Sequence, residues 1–426
     1  MDSSLKHKRA TYHLYTFTIS KLIATFGSSV YAFGISLYVL ALTGSAASFA
    51  VNLICSIVPR TILAPVAGFA ADHYPKKVIV ILSQIASILA VGGLLLYSMS
   101  FGLSLVAIYV TTAFLSVSSM FTTVTFSSSI ANLIDADRIQ RAMGFNQSAM
   151  AIATIGGPVV GGMLFGFVSM EIFLLIQVVA YSLAVLLEST MNFKLYTNRM
   201  EGTEQKESFF EGMKEGITYL RSNRVIVVVI TMALGVNFFF SALMIGLPFI
   251  AIEQLQVEAT HFGFIEAMLA VGMLLSSIYF AARKPVQQPL LFAKRGVLTM
   301  SVLLAGMSVP LLFVFGYWMN VSYLLTLMLV FGITNVFVNT PIGVMMQTDV
   351  DEEFRGRVFG LLESMAMAMM PLGYLLFGLL YDKFPAEWIV IGSSLCLIAF
   401  TSYLMRPAVL REANSKPVPA ATGLAE

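Results

Sequence analysis

Four charged residues, Lys21, Arg60, Glu266 and Glu363, lie inside long apolar stretches of this sequence, where a charged side chain is costly. Glu266 and Glu363 fall within the first turns of two such stretches. Arg60 lies 12 residues before Asp72, about 18 Å from the end of its own stretch. A carboxylic acid in partly apolar surroundings can bind and release a proton as those surroundings change. We therefore predict proton coupling at Glu363, Glu266 and Arg60, with Lys21 expected to snorkel to the membrane surface.

Each of these residues also has a structural interpretation. A carboxylate near a helix N-terminus is stabilised by the helix dipole alone, which would account for Glu266 and Glu363. Arg60 can equally form a structural ion pair or extend its side chain to the membrane surface. The residue types alone leave these alternatives open.

A second set of residues has the chemistry of ligand recognition. Amide side chains on apolar stretches can bind a substrate, although hydrogen bonding between helices is the alternative. The segment ESMAMAMMP adds thioethers, which adapt to varied apolar shapes but also fill cores. The predicted substrate-cavity residues are Asn146, Gln147, Asn237, Asn335, Asn339 and Met367.

The sequence argues against enzymatic chemistry. The four histidines, His7, His13, His73 and His261, lie in expected tails or loops, so no intramembrane His cluster is predicted for metal binding or acid–base catalysis. There is no Gly-rich phosphate loop followed by Lys and Ser or Thr. We predict no metal, no cofactor and no nucleic-acid partner.

The composition requires lipid as the solvent. Of 426 residues, 58% are hydrophobic and 11% charged, and the mean hydropathy is +0.85. Crossing a hydrocarbon core of about 30 Å takes roughly 20 apolar residues. We therefore predict an all-α integral membrane protein with twelve transmembrane helices. The expected spans are 14–42, 48–71, 78–98, 103–134, 143–167, 172–187, 225–252, 262–282, 297–317, 323–347, 358–381 and 388–405.

The charged residues predict the orientation. An even number of spans puts both termini on one side. Of the 25 Lys and Arg residues, all but Arg60 and Lys383 fall on that side, which the positive-inside rule assigns to the cytoplasm. The N-terminal segment MDSSLKHKRATYH leads into a first stretch too long for a signal peptide. We predict a multi-pass protein of the plasma membrane.

The chain divides into two similar halves. We predict a six-helix half at 1–187, a cytoplasmic linker with an amphipathic helix at 188–224, a second six-helix half at 225–406 and a disordered tail at 407–426. The segments DADRIQRAMGFNQS and DEEFRGRVFGLLES align at an offset of 216 residues, matching Asp135 with Asp351 and Gly144 with Gly360. Repeats of this kind are typical of transporters whose substrate binds between the halves.

Two motifs lie on these helices. In GFAADHYPKK, Gly68 permits close helix approach, Asp72 can accept hydrogen bonds from a helix N-terminus, and Lys76 and Lys77 keep the loop in the cytoplasm. An ordinary positively charged turn is the alternative.

The second motif, AMGFNQSAMAIATIGGPVVGGML, places Gly144, Gly157, Pro158, Gly161 and Gly162 inside the fifth span. Small residues let helices pack closely in lipid, and neighbouring helices can satisfy the carbonyl that Pro158 frees. We predict a face that slides against another helix. A static packing seam is the alternative.

Both motifs resemble signatures of the major facilitator superfamily. GFAADHYPKK is similar to the loop signature G-x-x-x-D-R-x-G-R-[RK], with His73 in place of Arg and Pro75 in place of Gly. The fifth span is similar to the helix-five signature of exporters, chiefly drug/proton antiporters, with Ala153 replacing one Gly. The first span resembles the macrolide-efflux-like branch.

The resemblance implies the two-half fold and secondary active export of small amphipathic compounds, drug-like or macrolide-like. It also implies a gate in which Asp72 faces the start of the eleventh span at Gly356, with Arg138 nearby. The fourth span lacks the Arg found in many drug/proton antiporters, so the proton site must lie elsewhere. The expected partners are a small-molecule substrate, protons and the lipid bilayer, and the expected state is a monomer. Uptake or exchange of a sugar or other metabolite, and lipid flipping, are the alternatives within this fold.

Overall fold

The computed structural model describes residues 3–193, 195–196, 224–283, 286–350 and 352–407. Within these ranges the chain forms twelve long helices. They are α1 Ser3–Thr43, α2 Ala46–His73, α3 Lys76–Phe101, α4 Leu105–Leu133, α5 Ala136–Phe167, α6 Met170–Ser189, α7 Arg224–Pro248, α8 Ala259–Ala281, α9 Pro289–Gly306, α10 Tyr317–Asp349, α11 Glu352–Lys383 and α12 Ala386–Leu404. A π-helical turn, Phe249–Gln254, extends α7, and a four-residue helix, Val309–Leu312, follows α9.

The predicted all-α membrane fold is confirmed. Eleven of the described helices are long and apolar enough to cross a membrane. The other, α11, has 32 residues, enough for about 48 Å of helix. Several helices exceed the predicted apolar spans: α1 begins at Ser3 and α5 at Ala136. The polar first turns of these helices continue the backbone hydrogen bonding beyond the apolar run.

Two segments of the predicted domain scheme fall mainly outside the description. The amphipathic helix expected in 188–224 and the tail expected at 407–426 lie largely beyond the described residues. Helix α6 itself runs to Ser189.

Helix packing repeats between the two halves. In the first half, α1 packs against α5 and α6, α2 against α4, and α3 against α4 and α6. In the second half, α7 packs against α11 and α12, α8 against α10, and α9 against α10 and α12. Adding six to each helix number of the first half reproduces the second. The folded chain therefore carries the duplication that the aligned sequence segments indicate.

Two helix pairs form the most extensive contacts between the halves. Helix α5 packs against α8, and α2 against α11. Since α5 and α11 are equivalent in the repeat, as are α2 and α8, these two contacts are also equivalent. We call the side of the bundle where the first and last helices have their chain ends the terminus side, and the other the far side.

The largest apolar cluster crosses the boundary between the halves on the far side. Leu40, Phe49 and Ala50 of the first half belong to one buried cluster with Leu247 and Phe262 of the second. A separate cluster around Leu14, Phe17 and Phe126 lies in the first half on the terminus side. The apolar core thus binds the halves to each other on the far side.

Candidate functional site

The contact between α5 and α8 brings backbone against backbone. A Cβ atom added to Gly162 would overlap the carbonyl oxygen of Ala259, and one added to Gly263 would overlap the carbonyl oxygen of Pro158. Only glycine at these positions permits such close approach. We call Pro158, Gly162, Ala259 and Gly263 the far-side seam.

The glycines of the fifth-span motif face different helices. Residues four apart share a helix face, so Pro158 and Gly162 form one stripe, which meets α8 of the other half. Gly157 and Gly161 form the adjacent stripe and pack on α1: a Cβ on Gly157 would lie 2.6 Å from that of Ser29, and one on Gly161 would lie 3.1 Å from the carbonyl oxygen of Val30. The motif therefore serves two interfaces, one within its half and one between the halves.

A carboxylate closes the second contact between the halves. Asp382, near the end of α11, accepts hydrogen bonds at the N-terminus of α2: from the Ser45 hydroxyl at 2.6 Å, from the Ala46 amide at 2.7 Å and from the Ala47 amide at 3.3 Å. A negative charge at a helix N-terminus satisfies unpaired amides and interacts favourably with the helix dipole. Asp382 thus joins the two halves at a point that the sequence analysis did not identify.

Close packing surrounds this carboxylate. A Cβ on Gly378, one turn before Asp382, would lie 2.7 Å from the Ala50 side chain and 3.0 Å from the Cα of Ala47. Nearby, the Phe33 and Phe262 rings stack across the halves with centroids 5.7 Å apart. The far side is therefore sealed by glycine contacts, a ring stack and a shared carboxylate.

The same helices are more open toward the terminus side. A Cβ on Gly68 of α2 or on Gly144 of α5 would meet no described atom within 4 Å. Both portions expose large apolar side chains. These are Ile62, Val66 and Phe69 of α2 and Met143, Met150 and Ile152 of α5. Among the described residues, these portions of α2 and α5 lack the close glycine contacts that join the halves on the far side.

The predicted gate residues occupy the end of α2 and its loop. Lys76 and Lys77 donate to backbone carbonyls of Ser128 and Ser189, at 2.5 and 2.6 Å, and so hold the ends of α4 and α6. The side chains of Asp72 and of the residues around Gly356 lie outside the description. The expected contact between Asp72 and the start of α11 stays a prediction.

Arg138 lies against its own half. It donates to Asp135, in an ion pair of 2.6 Å, and to the hydroxyl of Thr11 on α1 at 2.6 Å. Partial burial of the Asp135 carboxyl acts to raise its pKa, but the hydrogen bond and charge of Arg138 outweigh burial and hold that pKa below its ordinary value. Arg138 therefore fastens α1 to the start of α5.

The predicted proton-coupling residues differ in surroundings. Arg60 is exposed on α2, and Glu266 is half-buried on α8, in the helix that forms the seam with α5. Within the described part of the chain, neither side chain forms a hydrogen bond or an ion pair. Glu363 belongs to α11, but its side chain lies outside the description.

The amides of the predicted substrate cavity have local partners. Asn237 donates to the carbonyl of Ala233 at 2.9 Å, and Asn339 donates to Asn335 at 3.0 Å. Asn146 approaches the Met150 sulfur at 3.9 Å and Gln147 is exposed, both on the open part of α5. The Met367 side chain is among those not described. Gln147 and Asn339 are exposed and Asn146 is half-buried, and their role as substrate contacts stays a prediction.

A buried polar cluster in the first half was missed by the sequence analysis. Glu188, fully buried at the end of α6, accepts hydrogen bonds at Oε1 from Ser20 of α1 at 2.6 Å and from Gln84 of α3 at 3.2 Å. The expectation that Lys21 snorkels is wrong: its side chain is 8% exposed and donates to Thr123 of α4 at 3.5 Å. We call Ser20, Lys21, Gln84, Thr123 and Glu188 the α6 carboxyl cluster.

Both missed carboxylates had a weak signal in the sequence. Asp382 and Glu188 each end an apolar run, as Asp72 does, and that position alone is equally typical of a loop charge. Which helices surround such a residue is decided by packing between distant segments, which the sequence pattern does not specify.

Comparison with known proteins connects this arrangement to transporters. The sequence profile of the Major Facilitator Superfamily matches residues 17–374. Macrolide efflux protein A of Streptococcus pyogenes is 21% identical over 389 residues, covering 90% of this chain and 93% of the relative. The multidrug efflux pump Tap of Mycobacterium tuberculosis is 22% identical over 405 residues, covering 93% of each chain. The crystal structure of the nucleoside transporter NupG superposes with a TM-score of 0.66 at 14% identity, covering 94% of this chain and 98% of that one.

Proposed function

The chain belongs to the major facilitator superfamily, and from that premise we propose that it exports small amphipathic compounds, drug-like or macrolide-like, by alternating access in exchange for protons. The observation that carries this proposal is that the halves pack closely on the far side, whereas α2 and α5 expose apolar side chains toward the terminus side, where we place a cleft between the halves. Relatives named as a macrolide efflux protein and a multidrug efflux pump match over nine-tenths of the chain, which favours export. We further propose that the protein acts as a monomer in the plasma membrane.

The charge distribution supports a cleft that faces the cytoplasm. If the terminus side is cytoplasmic, as the excess of Lys and Arg indicates, the cleft opens to the cytoplasm. An exporter takes up its substrate from this state. The apolar side chains exposed on α2 and α5, with the methionines among them, would contact the apolar part of a substrate. The exposed amides Gln147 and Asn339 would contact its polar groups.

Two aspartates would hold the two states in turn. Asp382, the penultimate residue of α11, caps the N-terminus of α2 on the far side. Asp72 is the penultimate residue of α2, and α2 and α11 run side by side in opposite directions. When the far side opens, Asp72 would cap the N-terminus of α11, one turn before Gly356, in the same way. Each state would thus have one aspartate hydrogen-bonded to the other half. Switching would break the cap made by Asp382 and form the cap made by Asp72.

Proton exchange would use carboxylates in the cleft. Glu266 on α8 lies beside the seam without a partner in the described structure, and Glu363 lies on α11, the helix that carries Asp382. A change in packing between the halves would alter the surroundings of both residues and therefore their affinity for a proton. Arg60, exposed on α2, would supply a compensating positive charge in one state.

Drug susceptibility of cells tests the direction of transport. Cells lacking the protein are compared with cells expressing it, on a panel of macrolides and cationic dyes and on single nutrients. We expect loss of the protein to lower the inhibitory concentration of at least one amphipathic compound. Unchanged susceptibility with a growth defect on one nutrient would contradict export and favour uptake. Transfer of a fluorescent lipid by the purified protein in vesicles, without transport of any compound, would favour lipid flipping instead.

A further inference from the structure

The α6 carboxyl cluster lies inside the helix bundle although Glu188 is at the end of a helix. Glu188 contacts Gln84, which is eight residues into α3 from Lys76, a depth of about 12 Å. Helix α6 is short, with 20 residues, and the chain that follows it covers its end: Met191 is fully buried and Phe193 is 5% exposed. Glu188 is therefore a carboxyl group enclosed by protein.

The hydrogen bonds of Glu188 are one-sided. Ser20 and Gln84 both donate to Oε1, whereas Oε2 is buried and has no hydrogen-bond partner among the described residues. Among the described residues, Glu188 also forms no ion pair. The nearby Lys21 amine donates to Thr123 instead. An enclosed, ionised carboxylate without a paired charge is costly. A proton can bind at Oε2 without displacing any hydrogen bond that the structure contains.

The charged groups near Glu188 come from two neighbouring helices. On α1, Lys21 lies close enough to interact electrostatically with the carboxyl group, and His13 lies two turns nearer the terminus side, accepting from the Asn192 amide at 3.4 Å. On α3, Lys77 donates to the carbonyl of Ser189 and not to the carboxyl group. Lys21 is therefore the base that can compensate an ionised Glu188.

Helix α1 also connects the cluster to the far-side seam. Helix α1 carries Ser20 and Lys21 and, about two turns further on, Ser29, which packs on Gly157 of α5. The adjacent stripe of α5, Pro158 and Gly162, belongs to the far-side seam. A shift of α5 as the halves rock would therefore move α1, and with it the Lys21 amine, relative to α6.

We propose that Glu188 is a proton-binding site of the transport cycle, with Lys21 as its counter-charge. This inference rests on the proposed proton-linked export and adds a site to the cleft carboxylates. In the state described, the carboxyl group holds a proton and the Lys21 ammonium stays on Thr123. Loss of the proton to water leaves a carboxylate, and the Lys21 ammonium then pairs with it directly. Only the O–H bond at Glu188 forms and breaks.

The test uses the full-length protein in proteoliposomes, with a radiolabelled macrolide and a fluorescent cationic dye as probes. A gradient of one pH unit supports up to about tenfold accumulation for each proton exchanged. We expect Glu188→Gln, which keeps an acceptor for Ser20 and mimics the protonated state, to let the probe equilibrate without accumulating. The matched control is Glu171→Gln, at an exposed position on the same helix, and it should accumulate probe as the wild type does.

A second measurement does not depend on transport. Infrared difference spectra of the purified protein between acidic and alkaline buffer should contain the carbonyl band of a protonated carboxylic acid, which Glu188→Gln removes and Glu171→Gln keeps. Lys21→Met should move the midpoint of that band to higher pH, because the counter-charge that favours the ionised form is gone. If Glu188→Gln accumulates probe as the wild type does, or if it leaves the band unchanged, the inference is overturned. A wild type that transports no probe but shows the Glu188 band would contradict the proposed export and leave the proton site intact.

Discussion

An added methyl group at the far-side seam should shift the balance between the two access states. Gly162 of α5 lies so close to Ala259 of α8 that a Cβ would overlap the carbonyl oxygen of Ala259. The neighbouring atom belongs to the backbone, so it cannot rotate away as a side chain would. Gly162→Ala should therefore push the halves apart on the far side and disfavour the state described here.

The size of this effect follows from the cost of overpacking. An extra methyl group forced into a close contact costs about 1–3 kcal/mol. The methyl group is accommodated once the far side opens, so most of this cost falls on one of the two states. A difference of that size changes the ratio of the states about 5–150-fold. Gly157→Ala is the contrast, because its Cβ would press on Ser29 of α1 within the same half and should lower thermal stability without favouring either state.

Disulfide trapping measures this ratio. A Cβ on Gly166 would lie 3.1 Å from the hydroxyl of Thr260 across the seam, which suits a disulfide between Gly166→Cys and Thr260→Cys. The native cysteines, Cys55 and Cys396, are first replaced by Ala. The trapped fraction should be high in this background and fall several-fold with Gly162→Ala.

The matched control adds a methyl group in open space. A Cβ on Gly93 of α3 would meet no described atom within 4 Å, so Gly93→Ala should trap as the parent does. If Gly162→Ala also traps as the parent does and transports normally, the seam does not separate the two states and this reasoning is refuted.

Three further predictions concern charged groups. Asp382→Asn removes the negative charge at the N-terminus of α2, which is worth about 1 kcal/mol. The disulfide-trapped fraction should therefore fall with Asp382→Asn and rise with Asp72→Asn. Equal shifts in one direction would contradict the exchange of the two caps. Glu363→Gln should stop pH-driven accumulation while probe binding survives, with Glu266→Gln as the comparison; normal pumping by the first and failure of the second would place the proton site on α8. The pKa of Asp135 is held below its ordinary value in the folded protein, so its ion pair stabilises the fold at neutral pH and this contribution is lost as pH falls through the lowered pKa. Thermal unfolding across pH should therefore show wild type more stable than Asp135→Asn by about 1 kcal/mol near neutrality, with the difference vanishing in acid; a constant difference would contradict it.

The helices and their repeat could be predicted because both depend on local patterns. Spans of apolar residues fix where a chain in lipid must be helical, and the offset of 216 residues between matched segments indicates the duplication that the packing of α1–α6 and α7–α12 repeats. The helix ends were less predictable. Polar turns such as those at the start of α1 and α5 continue a helix outside the apolar run, where hydropathy gives no signal.

The site could be predicted only in part. The fifth-span motif indicated close packing, but which stripe faces α1 and which faces α8 depends on how the whole half is oriented. Asp382 and Glu188 went unrecognised because their roles come from residues more than a hundred positions away, such as Ser45 for Asp382 and Ser20 for Glu188. The surroundings of Lys21 were wrongly predicted for the same reason, since depth along α1 does not tell which helices enclose a side chain.

Transport by the purified protein in vesicles under an imposed pH gradient tests proton-linked export most directly. Proteoliposomes are loaded with a macrolide or a cationic dye, and its movement is followed with the gradient in either direction and with the gradient collapsed. Export in exchange for protons predicts uphill movement of the compound against the flow of protons, up to about tenfold for one pH unit and one proton, and simple equilibration without a gradient. Movement of the compound in the same direction as the protons, or accumulation that ignores the gradient, would contradict the account.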